Sequence, residues 1–87
     1  LLKVQGDSMI EDGILDGDLV GVHRTPEARN DQTVVARIDE ELTIKRLRHE
    51  RGRIRLLPRN PAHIPIDVQP GQDFAIEGVY CGLVRRG

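Results

Sequence analysis

The sequence predicts an all-β domain of mostly antiparallel short strands with at most one short helical turn. Three observations carry this. Apolar residues recur with a period of two through most of the chain. No window of about 11 residues has helical periodicity. Gly, Pro and Asp punctuate the chain at short intervals, as turns require.

The elements follow in order. Leu1-Leu2-Lys3-Val4 opens as though already inside a strand, and reads as the start of a piece cut from a longer chain, with any second domain upstream. A single turn around Ser8 to Asp12 is the one helix candidate. Asp18–His23 and Thr33–Ile38 read as strands, with Val34, Ala36 and Ile38 on one face. Asp39-Glu40-Glu41 is a polar tip leading into Leu42–Leu47, which makes a hairpin. His49 to Gly52 is a second tip. Arg53–Leu57 then alternates, with Ile54 and Leu56 inward and the arginines outward. Pro58, Pro61, Pro65 and Pro70 exclude a central strand or helix interior, so this stretch is irregular connection with a short strand at Ile66-Asp67-Val68. In the last strand, Phe74–Val84, Phe74 and Ile76 share one phase and Val79, Cys81 and Leu83 the other. The slip falls at Gly78, which reads as a bulge.

With 87 residues, 38% hydrophobic and 31% charged, residues 1–87 make one small domain with an economical core. Only two aromatics, Phe74 and Tyr80, are available, too few for a base-stacking nucleic-acid platform. Cys81 stands alone, which rules out an internal disulfide or a multi-cysteine metal site and suits a reducing compartment. No apolar run approaches the roughly 20 residues that cross a bilayer, so no membrane partner is expected.

Charge is segregated. Residues 1–44 carry four basic and ten acidic side chains, whereas residues 45–59 carry seven basic (Lys45, Arg46, Arg48, Arg51, Arg53, Arg55, Arg59) and only Glu50. Such a block either attracts a polyanion or an acidic protein surface, or is a solvated strand pair with outward arginines. The net charge of −1 argues against direct nucleic-acid binding.

The densest chemical signal is Gly6-Asp7-Ser8-Met9. A Ser on a tight turn exposes its hydroxyl, and backbone N–H groups there can converge into an oxyanion hole. Alternatively, Ser8 caps the following turn with Glu11 completing a capping box. The carboxylates Asp7, Glu11, Asp12, Asp16 and Asp18 suggest a cation loop, but Ile14 and Leu15 break the ligand spacing, and Asp12-Gly13 and Asp16-Gly17 are turn chemistry. His23, His49 and His63 are scattered; a Ser8–His–Asp triad stays open, although the last two fall in polar tips or Pro-rich connection, which favours simple exposure. No metal and no cofactor are expected. The better partner for Ser8 is Lys45, which shares a strand face with Thr43 and Leu47. A lysine must be neutral to act as a base, and in water about one in 2,500 is neutral at pH 7. Desolvation raises that fraction; a Lys45 that snorkels to solvent keeps its charge.

Taken together, Gly6-Asp7-Ser8-Met9, Asp16-Gly17-Asp18-Leu19-Val20 and Thr43-Ile44-Lys45-Arg46-Leu47 resemble the self-cleaving serine–lysine peptidases of the LexA, UmuD and phage-repressor family. Val22-His23-Arg24-Thr25, Arg29-Asn30, Val34–Asp39, Leu56-Leu57-Pro58 and Ile76-Glu77-Gly78 read most like its LexA-type members. The resemblance spans nearly the whole chain and implies a LexA-like peptidase domain. It implies Ser8 as nucleophile and Lys45 as general base, with an oxyanion hole from the backbone of Asp7 and Ser8. It implies that Glu41 helps hold the cleavage segment. It further implies a homodimer, an upstream domain for operator DNA, and self-cleavage of an Ala-Gly linker bond promoted by an activated RecA filament on single-stranded DNA, in the bacterial cytoplasm. Phe74–Val84 is then a candidate dimer edge, its free N–H and C=O groups pairing with a second copy. Two other readings stay open: a non-catalytic dimerisation and RecA-binding module, and a UmuD-type mutagenesis protein domain.

Overall fold

A computed structural model describes residues 1–85; Arg86 and Gly87 lie outside it. Seven strands form one antiparallel sheet: β1 (Leu2–Lys3), β2 (Leu19–Arg24), β3 (Thr33–Ile38), β4 (Glu41–Glu50), β5 (Arg53–Leu57), β6 (Ile66–Asp67) and β7 (Phe74–Val84). Their spatial order is β1-β2-β7-β3-β4-β5-β6. The only helical element among the described residues is a 3₁₀ turn at Ile10–Asp12. Among the same residues no helix is long and apolar enough to cross a membrane.

Two-residue turns join the hairpins. Asp39 and Glu40 have φ of 47° and 75°, and Arg51 and Gly52 have 51° and 71°. Paired left-handed residues give the turn that matches the right-handed twist of the flanking strands. The tips are therefore shorter than expected. Glu41 already begins β4, and β4 runs on through His49 and Glu50 rather than stopping at Leu47.

The core is two clusters on opposite faces of a shared centre. Val4, Met9, Ile14, Val20, Val35 and Ile44 make the first, with Tyr80 and Leu83 packed against it. Val34, Ala36, Leu47 and Leu56 make the second, with Ile38, Ile54, Phe74, Ile76 and Val79 around it. Successive side chains of β3 point to opposite faces, so Val34, Val35 and Ala36 are all buried.

β7 is central rather than an edge. It pairs with β3 from Phe74 to Val79 and with β2 from Gly78 to Val84. The dimer-edge expectation therefore fails for the strand as a whole. Only Tyr80–Val84 remain without a β3 partner, because that ladder ends at Val34↔Val79. The bulge at Gly78 is present: Val35 faces Gly78 and Ala36 faces Ile76, leaving Glu77 extra. A second bulge was not foreseen. Gly21 faces Gly82 and Val22 faces Tyr80, so Cys81 is extra and exposed, and Val79 and Leu83 pack against different core clusters instead of sharing one phase with it.

Two side-chain facts fix how these strands close. A Cβ on Gly78 would lie 2.4 Å from Val22 Cγ1 and 2.6 Å from the His23 carbonyl oxygen. Meanwhile Asp18, only 3% exposed, accepts from Arg85 Nε at 2.8 Å, Arg85 Nη2 at 2.7 Å and the Leu15 N–H at 2.7 Å. The Arg85 bonds, followed by the Leu15 N–H, hold its carboxyl at about 2, below the ordinary 3.8.

Two outcomes follow. Gly78→Ala should destabilise the domain by about 1–3 kcal/mol, since backbone of β2 stands in the way; an unchanged urea midpoint would show that β2 yields freely. Asp18 has a depressed folded pKa, so its contribution is present above 3.8 and is lost as pH falls from there through about 2. Denaturant midpoints measured from pH 5 to 2 should drop less in Asp18→Asn than in the parent chain. Parallel drops would assign the acid sensitivity to other carboxylates.

Candidate functional site

Ser8 sits on the loop between β1 and the 3₁₀ turn. Gly6 enters this loop at φ 88°, a left-handed conformation that favours glycine, and its N–H donates to Asp16 Oδ1 at 2.8 Å. Met9, only 2% exposed, anchors the following residue in the first core cluster. Ser8 does not cap the turn: the 3₁₀ turn starts after Met9 and has no side-chain cap. Its hydroxyl is turned toward β4 instead.

There Lys45 Nζ donates to Ser8 Oγ at 2.9 Å and to Thr43 Oγ1 at 2.6 Å. Thr43 and Lys45 lie on one face of β4, as the period of two requires. Lys45 is 8% exposed and lies opposite Val34, which is fully buried. Among the described residues no carboxylate is within ion-pair distance of Nζ. Desolvation by burial therefore acts unopposed and pushes its pKa below the ordinary 10.5.

A groove of about 660 Å³ opens beside the pair, lined by Leu2–Gln5 on one wall and by Glu40–Lys45 on the other, with Ser8 and Met9 at its floor. Its β4 wall is a free sheet edge. The β4–β5 ladder begins only at Arg46↔Leu57, so Glu41–Lys45 pair with β3 alone. Leu47 exchanges its backbone bonds with Asp31 and Gln32 on the β3 side. By alternation, Leu42 and Ile44 present their N–H and C=O to the groove. On the opposite wall Val4 bonds inward to Asp18 and Gly17, which turns the backbone groups of Lys3 and Gln5 outward by the same rule. The groove thus lies between two unpaired edges. Glu41 lines it, along with Glu40, Lys3 and Lys45.

Sequence reasoning missed a brace behind the Ser8 loop. Arg59 N–H donates to the Ser8 carbonyl at 2.6 Å, and the Arg59 carbonyl accepts from Glu11 N–H at 2.8 Å. Asn60 Nδ2 donates to the Asp7 carbonyl at 2.9 Å. His63 Nε2 lies 2.6 Å from Asp7 Oδ1, and that bond is the main cause lowering the Asp7 pKa. His63 is therefore exposed, as expected, yet engaged. The Pro-rich stretch reads as irregular connection, and nothing in the sequence tells which loop it holds.

Three of the other acidic residues have separate work. Asp12 takes Arg46 Nη2 at 3.3 Å and Arg59 Nε at 3.0 Å, Asp16 takes Gly6 N–H, and Asp18 takes Arg85. The basic block is partly neutralised: Arg46 and Arg59 share Asp12, Arg48 pairs with Asp31 and Glu50, and Arg55 with Asp67, whereas Arg51 and Arg53 make no ion pair among the described residues.

Comparison with known proteins agrees with this architecture. The family model described as Peptidase S24-like matches residues 1–81. LexA repressor 2 of Pseudomonas syringae pv. tomato is 72% identical over 86 residues, covering 99% of this chain and 43% of the relative. LexA repressor 1 of Xanthomonas oryzae pv. oryzae is 71% identical over 87 residues, covering 100% and 43%. The LexA repressor of Stenotrophomonas maltophilia is 67% identical over 85 residues, covering 98% and 40%. The chain thus spans less than half the length of these relatives. The chain belongs to the Peptidase S24-like family.

Proposed function

We propose that this chain is the catalytic and dimerisation domain of a repressor of the SOS DNA-damage response, which cuts its own linker with a Ser8–Lys45 dyad. The observation that carries the proposal is the 2.9 Å bond between Ser8 Oγ and a buried Lys45 amine with no carboxylate to hold its charge.

When Lys45 loses its proton, the bond to Ser8 reverses: the hydroxyl donates and the amine lone pair accepts. Ser8 Oγ then attacks the scissile carbonyl carbon while its proton moves to Nζ. The C=O π pair moves onto oxygen, and the backbone N–H groups of Asp7 and Ser8 stabilise that oxyanion. Collapse expels the amine, which takes the proton back from Lys45 and leaves an acyl ester on Ser8. Water, deprotonated by the neutral Lys45, hydrolyses the ester. Thr43 keeps Nζ aimed through this cycle.

The substrate is an extended segment lying in the groove, bonded to the free backbone of Leu42 and Ile44 on one side and of Lys3 and Gln5 on the other. Glu41 contacts this segment at the groove wall. In the full-length protein the segment is the linker upstream of residues 1–87, containing an Ala-Gly bond, and beyond it lies the operator-binding domain. Docking of the segment strips water from Lys45, and the activated RecA filament on single-stranded DNA favours the docked state. A second copy pairs along Tyr80–Val84 to make the homodimer. The protein acts in the bacterial cytoplasm.

Three outcomes test the reading. Mixed with a full-length protein carrying Ser8→Ala as substrate, this chain should release two products, and none when it carries Ser8→Ala or Lys45→Ala itself. Residual cleavage by Lys45→Ala would transfer the base role to a histidine. Without RecA, the cleavage rate of the full-length protein should climb between pH 7 and 10 as Lys45 deprotonates, with a midpoint below 10.5; a flat profile would remove lysine from the mechanism. In Lys45 the folded pKa is the lower one, so folding stability should rise with pH between it and 10.5. Lys45→Met should abolish that slope, and a slope that persists would mean other groups produce it.

A further inference from the structure

We propose that Asn60 is a positioning residue that fixes the peptide plane between Asp7 and Ser8 and so aims the Ser8 N–H as an oxyanion donor. This rests on the dyad reading above. It goes beyond it by giving a specific task to a residue with no contact to the groove.

The Asp7 carbonyl and the Ser8 N–H belong to one peptide unit, and in a trans peptide they point in opposite directions within one plane. No cis peptide occurs among the described residues. Asn60 Nδ2 grips the carbonyl end at 2.9 Å, so the N–H end is turned away from Asn60. Only one other bond reaches that oxygen, from Ile10 N–H at 3.3 Å, longer and made within the same loop. The Ser8 N–H itself has no protein acceptor among the described residues.

Asn60 is held firmly enough to do this. Its Oδ1 accepts from Ala62 N–H at 2.9 Å, and its own carbonyl accepts from His63 N–H at 3.0 Å. Both ends of the carboxamide are thus committed, which fixes which end carries the NH₂. The reciprocal Arg59 bonds to Ser8 and Glu11 hold Asn60 at the correct height against the loop. If the grip is lost, the peptide can rotate, and the carbonyl oxygen can replace the N–H at the place where negative charge develops. A ground-state substrate with a neutral carbonyl loses little by this. The tetrahedral oxyanion loses a donor and meets a partial negative charge.

Asn60→Asp isolates the effect. It keeps the shape and the acceptor for Ala62 N–H, but replaces the donor with an oxygen that repels the Asp7 carbonyl. In trans cleavage of the full-length Ser8→Ala substrate, kcat should fall about ten- to a hundred-fold while KM stays within about twofold, a part of the ~100- to 1,000-fold seen when an oxyanion donor is removed outright. The thermal midpoint reports folding, and Asn60→Ala takes the place of Asn60→Asp if the latter is unfolded. A parent-like kcat, or a loss confined to KM, in a folded variant overturns the role of Asn60 and leaves the dyad standing. Cleavage by the Ser8→Ala or Lys45→Ala form of this chain overturns the dyad and the Asn60 proposal together.

Discussion

The site depends on a mismatch of strand lengths. β4 has ten residues, whereas β5 has five and covers only the second half of it. Lys45 stands where that cover begins. One residue later, Arg46 is paired on both sides; at Lys45 and before it, one edge of the strand is bare. The amine is therefore buried by core residues yet opens onto a groove. Had β5 continued, Leu42 and Ile44 would be satisfied within the sheet, and no extended chain could bond there. Had β4 been shorter, Lys45 would be hydrated and held charged. A buried lysine without a counter-ion costs the fold stability.

The end of β5 serves the site a second time. Pro58 stops the strand, and the chain turns back at once to brace the Ser8 loop through Arg59, Asn60 and His63. The element that leaves the edge open thus also fixes the Ser8 loop against it. The loop is pinned at three further points: Met9 in the core, Gly6 on Asp16, and Asp12 under Arg46 and Arg59. Two arginines of the basic block, Arg46 and Arg59, are part of this same fastening through Asp12.

Much of the fold was legible because short antiparallel strands declare themselves by alternation. Thr33–Ile38, Arg53–Leu57 and Phe74–Val84 have the ends that alternation predicts. Ser8 and Lys45 came from residue chemistry sharpened by the family resemblance, and the fold brings them within a hydrogen bond. What stayed hidden was non-local. The tips were drawn too long because Asp39, Glu40 and Arg51 adopt left-handed turns without needing glycine at each position. The last strand was read as an edge because position in the chain says nothing of position in a sheet; the topology inserts it between β2 and β3. The bulge at Cys81 was invisible because Val79, Cys81 and Leu83 alternate convincingly as a string of letters. The brace escaped notice because an Asn in a Pro-rich connection reads as turn chemistry, whichever loop its side chain reaches.

The two bulges of β7 act on its framing. Ahead of Glu77, even-numbered side chains (Phe74, Ile76) face the second core cluster; after it, the odd-numbered Val79 does. Tyr80 then faces the first cluster, and beyond Cys81 the odd-numbered Leu83 does. Each extra residue shifts the phase by one, and the second cancels the first. Like an insertion and a later insertion that together restore a reading frame of two, they leave the strand's start and finish in the same phase and re-read only the few residues between. Those residues are where β7 passes from its β3 ladder to its β2 ladder. The strand can therefore serve two cores with one continuous backbone, and neither bulge can be removed alone without turning part of one core toward the other.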